Sequence, residues 1–161
     1  MNTRRESVTI GEAKAAGSGT VLYTLGLGSC VAIVLYDNDR KVGGLAHALL
    51  PEPRAGKSGP PARYASTAVD ALIDLMETSG ASRRRLRARI AGGASMFDSV
   101  LTEGGRQLGM RNVDAARSAL ARAGIPVDRE DVGGTHGRSV YLHVDQGHVI
   151  VSSVMLPDVV L

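Results

Sequence analysis

The sequence predicts an α/β domain of the α+β kind, a single domain over residues 1–161, and three observations carry that expectation. Two amphipathic helical patterns stand among a larger number of short β-rich runs. Turn signals close several of those runs into hairpins. No internal repeat and no linker-like stretch divides the chain, and 161 residues suit one domain with its own core.

Taken in order, Ser7 to Ile10 and Thr20 to Leu25 read as short strands. Val31 to Tyr36 is β-rich and apolar on both faces, the pattern of a buried central strand. Asp37-Asn38-Asp39-Arg40 is a turn, and Val42 to Leu50 resumes the apolar run until Pro51 ends it. Pro51 to Arg63, rich in proline and glycine, is a loop beside His47 that could line a substrate groove. Tyr64 to Ser79 is an amphipathic helix with Ala68, Leu72, Leu75 and Met76 on one face, Val69 and Ile73 beside them, and Gly80 as its stop. Leu86 to Ile90 alternates as a half-buried strand. Asn112 is placed to N-cap a helix to Ala123, burying Val113, Ala116 and Leu120, with Gly124 ending it. Ile125 to Val132 is a strand, and Ser139 to Val144 with His148 to Met155 forms a last hairpin.

Composition sets bounds. Aromatic residues make up only 3% of the chain, with no Trp, so the core rests on Val, Leu, Ile and Ala. No N-terminal apolar stretch resembles a signal peptide, and no apolar run approaches the roughly 20 residues of a membrane helix. Membrane insertion is therefore not expected, and a single cysteine without an export signal points to the reducing cytoplasm.

That cysteine, Cys30, carries the functional argument. It follows Thr24-Leu25-Gly26-Leu27-Gly28-Ser29, and His47 lies in the next strand. If Asn38-Asp39 forms a two-residue turn with Asp37 opposite Arg40, Cys30 falls directly opposite His47 on one sheet face. An imidazole beside a thiol can take its proton and later return it to a leaving group. Thr24 could hold the second ring nitrogen, as the third member of a triad does. Backbone N–H groups at Gly28 and Ser29, freed by the glycines, could form an oxyanion hole. From spacing alone, a packed cysteine and a satisfied core histidine explain the same residues about as well.

A resemblance tips that balance. Leu27-Gly28-Ser29-Cys30-Val31, Gly43 to Pro51, Gly92 to Phe97, Leu108 to Asn112, Ile125-Pro126-Val127 and Asp131 to Arg138 resemble, in order, the CheD family of chemoreceptor glutamine deamidases. The resemblance implies an α–β–β–α sandwich and a catalytic triad at Cys30, His47 and Thr24. It implies hydrolysis of glutamine side chains on methyl-accepting chemoreceptor cytoplasmic helices, through a cysteine thioester, with no metal or organic cofactor. Glutamate methylesterase activity would pass through the same thioester. It also implies a possible partner in the CheC phosphatase, so a regulatory binding module is the alternative. Within Ser95 to Arg106, the stretch Asp98 to Glu103 is individual to this chain and reads as a variable loop or short helix.

Other features have plainer readings. Arg83-Arg84-Arg85 with Arg87 and Arg89 is basic, but no aromatics are interleaved and the net charge is only +3, so a solvated edge is favoured over nucleic acid binding. His136, His143 and His148 lack compact metal-ligand spacing. Gly92-Gly93 and Gly133-Gly134 read as tight turns, not phosphate loops. Arg111, Asn112 and Arg138 are expected in structural hydrogen bonds, with Asp131 capping or pairing with Arg138.

Overall fold

A computed structural model describes residues 2–95 and 103–161. The strands are β1 (Arg4–Ser7), β2 (Ala13–Ala16), β3 (Thr20–Leu27), β4 (Val31–Asp37), β5 (Val42–Ala48), β6 (Arg87–Gly92), β7 (Val127–Val132), β8 (Arg138–His143), β9 (His148–Ser152) and β10 (Val159–Val160). The helices are α1 (Ala65–Thr78) and α2 (Glu103–Arg122). The strands form two mixed sheets: an outer one in the order β1-β3-β8-β9-β10 and a central one in the order β2-β5-β4-β6-β7.

The apolar character of β4 on both faces explains the layering. Val31, Ile33 and Leu35 pack against α1 (Val69, Leu72, Ile73, Met76) and α2 (Val113, Ala116, Leu120). The alternate residues Ala32, Val34 and Tyr36 face the outer sheet, against Leu22, Val140, Leu142 and Val149. The α+β class is as the sequence predicts. Both helices lie on the same face of the central sheet, so the layers run helix, sheet, sheet among the described residues, without a helical layer beyond the outer sheet. The β6–α2–β7 connection accounts for this: β6 and β7 are parallel neighbours, and α2 crosses the face already occupied by α1.

Both helices end in Schellman geometry. In α1, Ala81 N–H donates to Met76 and Gly80 N–H to Glu77, with Gly80 at φ 102°. In α2, Ile125 N–H donates to Leu120 and Gly124 N–H to Ala121. Asn112 does not cap α2. The helix starts nine residues earlier, at Glu103, and Asn112 is buried in its middle. Leu75 is also more open than its place on the apolar face of α1 predicts. Of the individual stretch within Ser95 to Arg106, residues 96–102 lie outside the described residues. The first strand lies earlier than the pattern predicts: β1 ends at Ser7 and Val8 to Ile10 follows it, whereas the Thr20 strand begins where expected and runs on to Leu27 as β3; β2 is an additional strand that the residue pattern does not signal.

The β4–β5 register differs from the expected one by two residues. Asp37 pairs with Val42 and Ala32 with His47, leaving Asn38 to Lys41 as the loop. Asp37 causes the longer loop. Its buried carboxylate accepts hydrogen bonds from Asp39 N–H (3.0 Å) and Arg40 N–H (3.2 Å), which fold the loop over it. It also accepts from Ser82 N–H (2.8 Å) and Arg85 Nε (3.1 Å), tying the hairpin end to the segment before β6. Lys41 completes the turn at φ 53°.

Burial pushes the Asp37 carboxyl up, but hydrogen bonds from Arg85, Ser82 and Arg40, with the Arg85 charge, outweigh it and hold the group below its usual range. A carboxyl depressed in the fold stabilises it above the unfolded-state value, and that stabilisation is lost as the pH falls through the folded one. Asp37→Ala should therefore cost roughly 2–4 kcal/mol at neutral pH by urea unfolding. The deficit relative to the natural protein should shrink as the pH is lowered through the carboxylate range. A deficit that stayed constant with pH would contradict this role.

Candidate active site

The two-residue shift keeps parity, and this preserves the site. Cys30 is not directly opposite His47 as the sequence reading expected; His47 faces Ala32, and Cys30 lies two positions before Ala32. Both residues still belong to the face between the sheets, where Cys30 joins the buried cluster with Ala32 and Val34. Diagonal neighbours of this kind lie about 7–8 Å apart at the backbone, within reach of a long side chain such as imidazole.

Thr24 reaches His47 from the opposite sheet. Its Oγ1 lies 2.7 Å from His47 Nδ1, in a hydrogen bond that bridges the two layers. A bulge in β3 makes this possible. Thr24 pairs with Val140 and Leu27 with Arg138, so β3 carries one residue more than β8 over that span. Leu25 and Gly26 take up the excess, with Gly26 at φ 70°, and both Thr24 and Leu27 turn inward.

The segment Gly28-Ser29-Cys30 links β3 to β4 and is held by its carbonyls. Gly28 C=O accepts from Ala94 N–H (2.9 Å), and Cys30 C=O accepts from Gly93 N–H (2.8 Å). Ser29 C=O accepts from Asn112 Nδ2 (2.8 Å). The N–H groups of the same three residues donate to no partner among the described residues. The Gly92-Gly93 pair is a tight turn, at φ 112° and 69°, and its lack of side chains admits the Cys30 carbonyl: a Cβ on Gly92 would collide with it. Arg138 is buried and supports this turn from behind. Its Nε donates to Asp131 (3.2 Å) and Nη1 to Gly92 C=O (3.4 Å), the structural role expected of both residues.

Cys30, His47 and Thr24 are all buried, at 7%, 1% and 1% exposure. Burial pushes the Cys30 thiol up from its usual value, with its own backbone N–H pulling weakly the other way. Burial likewise pushes the His47 imidazolium down, against the Val8 backbone. Both shifts favour the uncharged pair, thiol and imidazole. His47 Nε2 is buried and makes no hydrogen bond among the described residues. A cleft of about 320 Å³ opens onto Thr24 and His47, walled by Val8, Ile10, Tyr23 and Leu25. The Pro51 to Arg63 loop does not line this cleft. Ile10 and Leu25 are more than half exposed, at 56% and 57%.

Residue patterns single out Thr24, Cys30 and His47 and place Asn112 in structural hydrogen bonds, which it makes to Ser29 and Leu49 C=O; what they miss is its position inside α2, where it is not a helix cap. The signal was available in Gly109, whose small size one turn earlier marks a close approach and not a helix boundary. Among the described residues, no three or more His, Cys, Asp and Glu side chains gather as a metal site would require.

The fold and these groups define a class: a two-sheet α+β domain with a buried Thr24–His47 pair bridging the sheets beside the β3 bulge and a buried cysteine, Cys30, on the same inter-sheet face. Comparison with known proteins identifies the family. A family model described as CheD chemotactic sensory transduction matches residues 49–153, and the chain belongs to the CheD family. It is 47% identical over 143 residues to a Thermococcus kodakarensis protein named probable chemoreceptor glutamine deamidase CheD, covering 88% of each chain. It is 42% identical over 150 residues to the Thermotoga maritima protein named chemoreceptor glutamine deamidase CheD, covering 93% of this chain and 92% of that one. Among solved structures, a Neisseria meningitidis protein of the DUF152 family shares the fold. Its TM-score is 0.52 at 10% identity, over 83% of this chain and 65% of that longer one.

The linkage of both buried groups gives a two-sided pH dependence. His47 is depressed, so below its ordinary value near 6.5 the unfolded chain binds a proton that the folded one refuses, and stability falls with falling pH. Cys30 is raised, so above its ordinary value near 9.0 the unfolded chain releases a proton that the folded one keeps, and stability falls with rising pH. Urea midpoints should show the acid-side fall reduced in His47→Gln and the alkaline fall reduced in Cys30→Ala. Unchanged slopes in both variants would contradict the assignment.

Proposed function

We propose that this protein is a protein-glutamine glutaminase that deamidates glutamine side chains on chemoreceptors, with Cys30 as nucleophile, His47 as general base and acid, and Thr24 as the residue that orients His47. The observation that carries the reading is the Thr24–His47 hydrogen bond at Nδ1, on the sheet face that Cys30 shares, in a chain of the CheD family. Curated relatives across nearly the whole length bear the name chemoreceptor glutamine deamidase, which supports the substrate class.

In this mechanism Nδ1–H donates to the Thr24 oxygen, which leaves the Nε2 lone pair free. Bound substrate brings thiol and imidazole together, since catalytic hydrogen bonds often tighten only in the complex. Nε2 takes the Cys30 proton as sulfur attacks the carboxamide carbon and the C=O π pair moves to oxygen. The N–H groups of Ser29 and Cys30, without partners among the described residues, supply donors for the oxyanion, with that of Gly28 beside them. Imidazolium returns the proton to the amide nitrogen, the C–N bond breaks, and ammonia leaves. Water, deprotonated by His47, then attacks the thioester. The C–S bond breaks, the thiol regains its proton, and glutamate is released. The bias of the pair toward its uncharged forms fits this sequence, because an unprotonated base is ready to accept the first proton.

The substrate must cover the cleft that opens on His47, so the exposed Ile10 and Leu25 on its walls would meet apolar residues flanking the target glutamine. These residues act on substrate binding and not on chemistry.

The reading is tested with a purified chemoreceptor cytoplasmic fragment from the same organism, followed by ammonia release and peptide mass spectrometry. Glutamine should convert to glutamate with the natural protein. Conversion should be abolished in Cys30→Ala and reduced on the order of 10²–10⁴-fold in His47→Gln. A folded, reduced protein that binds the fragment and converts nothing would sink the reading for that substrate. In the same assay Leu25→Ser should raise KM about tenfold with kcat unchanged. An unchanged KM would remove Leu25 from the substrate surface.

A further inference from the structure

Asn112 has two donors and two carbonyl partners on separate parts of the site. Its Nδ2 donates to Ser29 C=O at 2.8 Å, on the segment before the nucleophile, and to Leu49 C=O at 3.0 Å, two residues beyond His47. The side chain is fully buried, and its Oδ1 has no partner among the described residues. Leaving a buried acceptor unpaired is costly, so the amide is present for its NH₂ half. It is also the shortest uncharged side chain with two N–H donors on one atom. A lysine or arginine here would place a cation beside Cys30 and His47 and disturb their proton balance.

Close packing brings Asn112 to this position. Gly109, one turn earlier on α2, lies against the carbonyls of Gly93 and Ala94, where any Cβ would collide. The helix thus rests on the loop whose N–H groups hold Gly28 and Cys30, and Asn112, three residues on, shares that helix face.

The consequence follows from peptide geometry. In a trans peptide the C=O and the next N–H point in opposite directions, and no cis bond occurs among the described residues. Pinning Ser29 C=O therefore fixes the direction of Cys30 N–H, one of the donors without a partner among the described residues. We propose that Asn112 is the positioning residue of the oxyanion hole: by holding Ser29 C=O, it aims Cys30 N–H at the oxygen of the tetrahedral intermediate. This rests on the deamidase reading above and extends it to a residue that never touches substrate.

The test compares two reactions of Cys30 in Asn112→Leu, with Leu120→Ala, also buried on α2, as a control for lost stability. Alkylation by iodoacetamide displaces iodide at carbon and develops no oxyanion, so it reports only the thiol and His47. Deamidation of the receptor fragment requires the oxyanion donor. In Asn112→Leu the alkylation rate and its pH profile should stay within about threefold of the natural protein, while kcat for deamidation falls about 10²-fold with KM unchanged. Leu120→Ala should lower the melting temperature yet keep kcat within about threefold. If Asn112→Leu does not fold, Asn112→Ala carries the same comparison with the same outcomes. An Asn112 variant whose kcat is retained, or whose alkylation and deamidation fall together, overturns the proposal while the deamidase reading stands. No conversion by the natural protein brings down both.

Discussion

Three consecutive carbonyls, those of Gly28, Ser29 and Cys30, are tied to the glycine turn at Gly93-Ala94 and to Asn112 on α2, and the rest of the site depends on this anchorage. The segment joins one sheet to the other, where a chain without regular pairing would ordinarily be loose. Here each C=O has a partner, so the direction of the intervening peptide planes is fixed. Among the described residues the N–H groups of the segment are left without partners, and the sulfur sits at the end of the anchored stretch. The glycines at positions 92, 93 and 109 let turn, loop and helix approach closely enough for these bonds to form.

The second layer of the arrangement is electrostatic. Burial disfavours both the thiolate and the imidazolium and biases the pair toward its uncharged forms. Among the described residues, no cation contributes to the shift of the thiol. In the proposed mechanism, activation is deferred to the moment when substrate and oxyanion donors are in place. Thr24 contributes by fixing the ring through Nδ1 without adding charge. The bulge at Leu25-Gly26 both turns Thr24 inward and raises Leu25 onto the wall of the cleft, so one backbone irregularity shapes the proposed triad and the surface beside it.

Much of this was legible in the residues. The apolarity of β4 on both faces announced a central strand, and helix α1 with its Gly80 stop followed from spacing. The shared sheet face of Cys30 and His47 was correct although the register was not, because an error of two residues leaves the pleat unchanged. The register itself was hidden: Asp37 reads as a turn residue, and only the fold shows it buried and bound by Ser82 and Arg85 from a distant segment. The start of α2 was hidden by Gly104, Gly105 and Gly109, which lower helix propensity and made Asn112 look like a boundary. Gly109 is kept for packing, a tertiary demand that local propensity does not record. Strand β2 (Ala-Lys-Ala-Ala) has no β-propensity at all and is held by pairing with β5. The side on which the second helix packs is a matter of connection, and no residue pattern encodes it.

The central claim is covalent: the glutamyl group passes through a thioester on Cys30. Partitioning with hydroxylamine measures it most directly. When hydroxylamine is added to the protein and a receptor cytoplasmic fragment, a thioester delivers its acyl group to the stronger nucleophile, so the target glutamines should appear as hydroxamates at the expense of glutamate. Cys30→Ala should give neither product. Glutamate formation unaffected by hydroxylamine, or persisting in Cys30→Ala, would contradict the account, since water would then attack the amide without the cysteine.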